Sequence, residues 1–108
     1  MRIADVMKDV RKNNAAHGFM ATGRKIFCEK MLLIVSEISE ALEEFRDGRG
    51  LNEIYFKDRK PEGIPIEIAD AVIRIFDFCE ANGIDLESAL SMKMTYNDTR
   101  PYMHGKKL

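Results

Sequence analysis

The sequence predicts an all-α, four-helix-bundle-like single domain over residues 1–108, one that works as an oligomer. Three observations predict it. Apolar residues recur every three or four positions along four segments, which is the period of an amphipathic helix. Those segments are separated by glycine- or proline-containing stops. Two of them carry more apolar surface than one chain of four short helices can cover.

Taken in order, the first segment runs from Arg2 to about Ala16, with Ile3, Val6, Met7 and Val10 at helical spacing and Gly18 and Gly23 punctuating its end. The second runs from Arg24 to Arg46, and Asp47-Gly48 stops it. Its apolar positions are Met31, Ile34, Ile38, Ala41 and Phe45, broadened by Leu32, Val35 and Leu42. Around Met31–Val35 it is apolar nearly all round, as a helix buried on two sides would be. The connection Gly48–Gly63 is long and rich in glycine, with a short helical turn expected at Leu51–Phe56. The third helix starts near Pro65, a residue suited to a first turn, and ends before Asn82-Gly83. Asp85 can cap a fourth helix through about Thr99, and Pro101 prevents its continuation.

Composition fits this reading. Leu, Ile, Ala, Met, Glu and Lys dominate, and the hydrophobic content of 45% with 32% charged residues is that of a folded chain. A net charge of −1 argues against a general nucleic-acid binder, which would carry a basic excess. The charge is unevenly placed, however: Ser36–Asp47 is acidic and Lys93–Lys107 is basic. That split suits a small anionic ligand bridged to the protein by a cation. Cys28 and Cys79 lack zinc-ligand spacing and sit among apolar residues, so both are expected to be buried free thiols. The stretch Met1–Arg11 is charged and amphipathic, and Met31–Val35 is too short to span a membrane. A cytoplasmic location without membrane contact is therefore expected.

The informative feature is a set of carboxylates in apolar surroundings. Glu67, Asp70, Arg74 and Asp77 form a narrow polar row, flanked by Ile66, Ile68, Ala69, Ala71, Val72 and Ile73. Residues three or four apart share a helix face, so Glu67 and Asp70 point together. Glu37 and Glu40 repeat the arrangement, flanked by Ile34, Val35, Ile38 and Ala41. If the two helices pack antiparallel, both pairs converge. Four ionised carboxylates would repel, and each costs several kcal/mol to desolvate. Arg74 cannot neutralise four acids, whereas a hard divalent cation can. Oxygen-only ligands favour magnesium, manganese or calcium. Di-iron bundles need Glu-x-x-His, and neither His17 nor His104 follows a glutamate by three. Glu43-Glu44 reads as an ordinary solvated pair, although Glu44, one turn beyond Glu40, is also placed to orient a water.

The segments Leu33–Arg46 (LIVSEISEALEEFR) and Ile66–Ile73 (IEIADAVI) resemble the MazG-type all-α nucleoside triphosphate pyrophosphohydrolases. That family's pattern is two adjacent acids, a further Glu three residues on, then a distant Glu-x-x-Asp. The resemblance covers most of Glu29–Arg100. It implies magnesium, with manganese as a substitute, held by Glu37, Glu40, Glu67 and Asp70. It also implies cleavage of a nucleoside triphosphate between its α and β phosphates, and association of chains into a homodimer or homotetramer. Ser36 stands where the pattern has its first acid, which leaves the number of metal ions open.

Lys93, Asn97 and Arg100 fall at i, i+4 and i+7, with Tyr96 and Tyr102 alongside and His104, Lys106 and Lys107 beyond. Read as residues alone, this is a solvated helix with a basic tail. The run KMTYNDTRPYMHGKK also resembles the closing segment of small MazG-like proteins, which implies phosphate contact for Lys93, Asn97 and Arg100. Phe19, Phe56, Tyr96 and Tyr102 are the candidates for base stacking. His17 and Asn14 can reach a base edge or can equally cap the first helix. Two other functions fit the acidic pairs: a narrower enzyme acting on dUTP or dCTP, and a non-catalytic helical module that binds a basic partner surface.

Overall fold

Helix ends fall where the stop signals stand. The computed structural model describes residues 2–19 and 23–101. It contains α1 (Ile3–Ala16), α2 (Arg24–Arg46), β1 (Tyr55–Lys57), β2 (Lys60–Glu62), α3 (Ile64–Ala81) and α4 (Leu86–Asp98). Pro65 lies in the first turn of α3. Asp85 caps α4, its carboxylate accepting from Ser88 N at 3.0 Å and from Ser88 Oγ at 2.8 Å.

The connection between α2 and α3 differs from expectation. No helical turn forms over Leu51–Phe56; β1 begins at Tyr55 and pairs antiparallel with β2, in the register Tyr55↔Glu62 and Lys57↔Lys60. The two loop residues Asp58 and Arg59 both have positive φ, 51° and 69°. That backbone matches the right-handed twist of paired strands, and an aspartate tolerates the conformation well. The hairpin then enters α3 through Gly63 at φ 124°, where a Cβ would lie 2.3 Å from the Glu53 carbonyl oxygen. Only glycine allows that approach.

The helices pack in the order α2, α3, α1, α4: α3 lies against both α2 and α1, and α4 packs on α1. Ala4 N donates to Glu87 Oε1 at 3.3 Å across the last pair. From Ser88 to Thr99 every residue of α4 and its end is exposed. The apolar core comprises Met7, Ile34, Ile64, Ala71, Phe78 and Cys79, with Phe27 edge-on to Phe78 at 5.4 Å between ring centroids. Cys28, expected inside, is exposed. Along α2, Leu32, Val35, Ile38, Leu42 and Phe45 form a stripe that is 47–69% exposed. The radius of gyration is 16.5 Å, against about 13 Å for a compact domain of this length. Among the described residues no helix is long and apolar enough to cross a membrane.

One charged pair joins α1 to α3. Arg11 Nη1 lies 2.8 Å from Asp77 Oδ1, off hydrogen-bond alignment, and Asp77 is buried. Arg11 Nη2 also donates to the Phe19 carbonyl at 2.8 Å, tying down the chain after α1. Removing one partner leaves the other charge buried without compensation. Arg11→Ala is expected to destabilise the fold by about 3 kcal/mol, measured as a shift of the urea midpoint, with Arg11→Lys recovering part of the loss.

Candidate metal centre

Helices α2 and α3 run antiparallel, as their cross-contacts show. Phe27 meets Phe78, Glu37 meets Arg74, and Glu44 lies beside Glu62 and Glu67, so one helix ascends as the other descends. Their polar rows therefore face each other. Glu37, Glu67 and Asp70 each offer a carboxylate oxygen within 4.8 Å of the other two. A second trio, Glu44, Glu62 and Glu67, meets the same spacing, and Glu67 belongs to both.

Glu67 is only 6% exposed, and Glu37 is buried as well. Burial pushes the Glu67 carboxyl up to about 7; in its protonated form it donates to Glu40, and the charges of Glu40, Asp70 and Glu37 push it further. Asp70 is raised by burial first and by Glu37 next, opposed by Arg74 and Lys60. Arg74 Nε donates to Glu37 Oε1 at 2.9 Å. Among the described residues no lysine or arginine forms an ion pair with Glu67. A nine-tenths-buried carboxyl whose neighbours are other carboxyls is the environment a cation would relieve.

The donor set fits a hard divalent ion. All donors are carboxylate oxygens, the ligands magnesium and manganese take. Two oxygens on opposite sides of a magnesium ion lie about 4.2 Å apart, within the 4.8 Å spread of Glu37, Glu67 and Asp70. Glu40 is exposed and reaches the group through Glu67.

The metal-free protein should lose stability as pH rises. In the unfolded chain the Glu67 carboxyl titrates near 4.5, and in the fold near 7. Between those values the folded state holds a proton that the unfolded state has released, so stability falls across this window and levels off above it. The loss is on the order of 2 kcal/mol. Urea midpoints at about pH 5 and pH 8 should show it, and magnesium should flatten the slope, because it favours the ionised carboxyl.

No family model, no curated protein and no solved structure matches the chain.

The hairpin contributes residues that the sequence reading passed over. Tyr55 OH donates to both Glu44 oxygens, at 2.9 and 3.0 Å, and Arg49 stacks 3.6 Å from the Tyr55 ring centroid. Glu44 is thus half-buried and anchored, whereas Glu43 stays in solvent with Arg46 at 2.6 Å. The expectation of an ordinary solvated pair holds for Glu43 alone. Glu62 and Lys60 come from β2, with Lys60 Nζ 3.4 Å from Glu62 Oε1. Neither carries a signal in sequence, since Lys57-Asp58-Arg59-Lys60 is a plain run of charged residues.

The other candidate residues form a separate group. Lys93 Nζ lies 5.0 Å and the Arg100 guanidinium 5.6 Å from the Tyr96 ring centroid, all on or just beyond α4. Asn97 is exposed beside them. The carboxylates lie between α2 and α3, while α4 packs on α1, so the two groups are carried by different helix pairs. His17 is the C-terminal cap of α1, its Nδ1 2.7 Å from the Asn13 carbonyl oxygen. Asn14 accepts the backbone N–H of His17 and of Phe19 through its own carbonyl. Tyr102, His104, Lys106 and Lys107 lie outside the described residues.

Proposed function

We propose that the chain is a magnesium-dependent nucleoside triphosphate pyrophosphohydrolase of the MazG-like type, releasing nucleoside monophosphate and pyrophosphate in the cytoplasm. The observation that supports it is the convergence of Glu37, Glu67 and Asp70 within 4.8 Å, with Glu40 beside Glu67. Glu37, Glu40, Glu67 and Asp70 would hold magnesium, or manganese in its place. When bound, the ion supplies positive charge to the phosphates and makes an attacking water more acidic. Glu44, fixed by Tyr55, orients that water as a hydrogen-bond acceptor. Tyr96 offers an aromatic face, Lys93, Asn97 and Arg100 offer donors to phosphate, and His17 offers a ring nitrogen to the base.

The working unit in this reading is a homodimer or homotetramer. The exposed α2 stripe supports it, and a second copy docked there would cover the face of α2 turned away from the carboxylate cluster. A panel of ribo- and deoxynucleoside triphosphates, assayed for pyrophosphate release with magnesium or manganese, tests the activity. Release of pyrophosphate that stops on chelation is the expected result. Orthophosphate release, or no release from any nucleotide, would end this reading.

A further inference from the structure

Two cations stand at opposite ends of the carboxylate cluster, and they come from different elements. Arg74 lies one turn beyond Asp70 on α3. A guanidinium has five N–H donors in a rigid fork, and Arg74 gives one, Nε, to Glu37 at 2.9 Å. That bond fixes the plane of the group. Its side chain is 37% exposed, so the two Nη groups remain for a partner arriving from solvent. Lys60 opens β2 at the other end, its ammonium 3.4 Å from Glu62, whose carboxylate lies within 4.8 Å of Glu67 and Glu44. Both positive charges act on Asp70, where they oppose the effect of burial.

We infer that Arg74 and Lys60 form a phosphate clamp across the cluster, holding the polyphosphate end of the ligand with groups from the same chain that holds the metal. This rests on the phosphoanhydride chemistry proposed above. The physical need is plain: a divalent ion neutralises only part of a polyphosphate's charge, and the carboxylates around it repel the remainder. An arginine fork already oriented by a carboxylate loses little freedom on gripping a phosphate. A lysine on a hairpin tip adds a mobile point charge at the far end. If Arg74 served only as the counter-ion of Glu37, its fork geometry and Lys60 would be irrelevant to anions.

The test uses inorganic tripolyphosphate as the ligand, titrated into the full chain by calorimetry with magnesium present. It compares the wild type with Lys60→Ala and Arg74→Lys. Lys60 is highly exposed and Arg74→Lys keeps the charge, so both variants should fold; thermal melts confirm this. Each variant is expected to bind tripolyphosphate roughly tenfold or more weakly, with its magnesium affinity in the absence of tripolyphosphate near that of the wild type. In the hydrolysis assay the loss should appear in KM more than in kcat. Unchanged tripolyphosphate affinity in both variants, or no binding by the wild type, would overturn the clamp. Tight, clamp-dependent tripolyphosphate binding by a chain that hydrolyses no nucleotide would instead uphold the clamp and remove the hydrolase reading.

Discussion

Glu67→Gln and Asp70→Asn are each expected to abolish pyrophosphate release, by at least about a hundredfold, in a chain that remains folded. Both substitutions keep shape and remove one carboxylate charge. At Glu67 the second half of the expectation is as informative as the first. Its carboxyl is almost wholly buried among Glu37, Glu40 and Asp70, so the neutral amide relieves both desolvation and like-charge repulsion at neutral pH. The metal-free variant should therefore melt at the same temperature as the wild type or above it, while magnesium no longer raises its melting temperature. A catalytic loss with gained stability separates a ligand from a structural acid. Normal turnover in either variant, or unfolding where the wild type is folded, would remove the metal-centre assignment.

The protein is also expected to be an obligate oligomer, and Val35→Asp combined with Leu42→Asp to reduce it to monomers. The five-residue stripe on α2 lies at spacings of three or four, the pattern of a helix seam. Ile68, Val72 and Ile73 of α3 add exposed apolar surface. Burying a Leu, Ile, Val or Phe side chain contributes about 1.5–3 kcal/mol each, and a single chain leaves that contribution unrealised on its outer face. Two carboxylates placed in a seam would have to be desolvated without partners, which outweighs what the remaining residues offer. Light scattering at micromolar concentration should give a dimer or tetramer for the wild type. The double variant should run near the chain mass of 12.4 kDa, with melting lowered and hydrolysis lost. A wild-type monomer of that mass with full activity would contradict the assembly.

The helical elements were legible in sequence because their signals are local. The 3.6-residue period and stops such as Asp47-Gly48 and Asn82-Gly83 require no knowledge of neighbours. The convergence of Glu37 with Glu67 and Asp70 was legible for a related reason: acids flanked by apolar residues at helical spacing must face something. The hairpin was not, since three-residue strands carry little periodicity, and Asp58-Arg59 lacks the glycine that usually marks such a turn. With it went the placement of Glu62, Lys60 and Tyr55, and so the anchoring of Glu44. The polar row on α3 hid a further division. Its first three members turn toward α2, while Asp77 turns to Arg11 on α1, a distinction that depends on α3 lying between two partners. The exposed thiol of Cys28 was missed because an apolar neighbourhood in sequence does not say which side of the helix another chain element will cover.

Helix α2 carries carboxylates on the side facing α3 and its apolar stripe on the other, and this leaves it little room to drift. On the proposed function, substitutions toward α3 are expected to strike the chemistry, and substitutions on the opposite side to strike assembly. In a saturation mutagenesis screen scored for activity, α2 should therefore be intolerant along two opposed lines of positions. Exposed polar sites such as Glu29, Ser39 and Glu43 would accept most replacements. Helix α4, exposed along nearly its whole length in one chain, supplies the internal comparison: if only the carboxylate line of α2 proves intolerant, the stripe is ordinary surface.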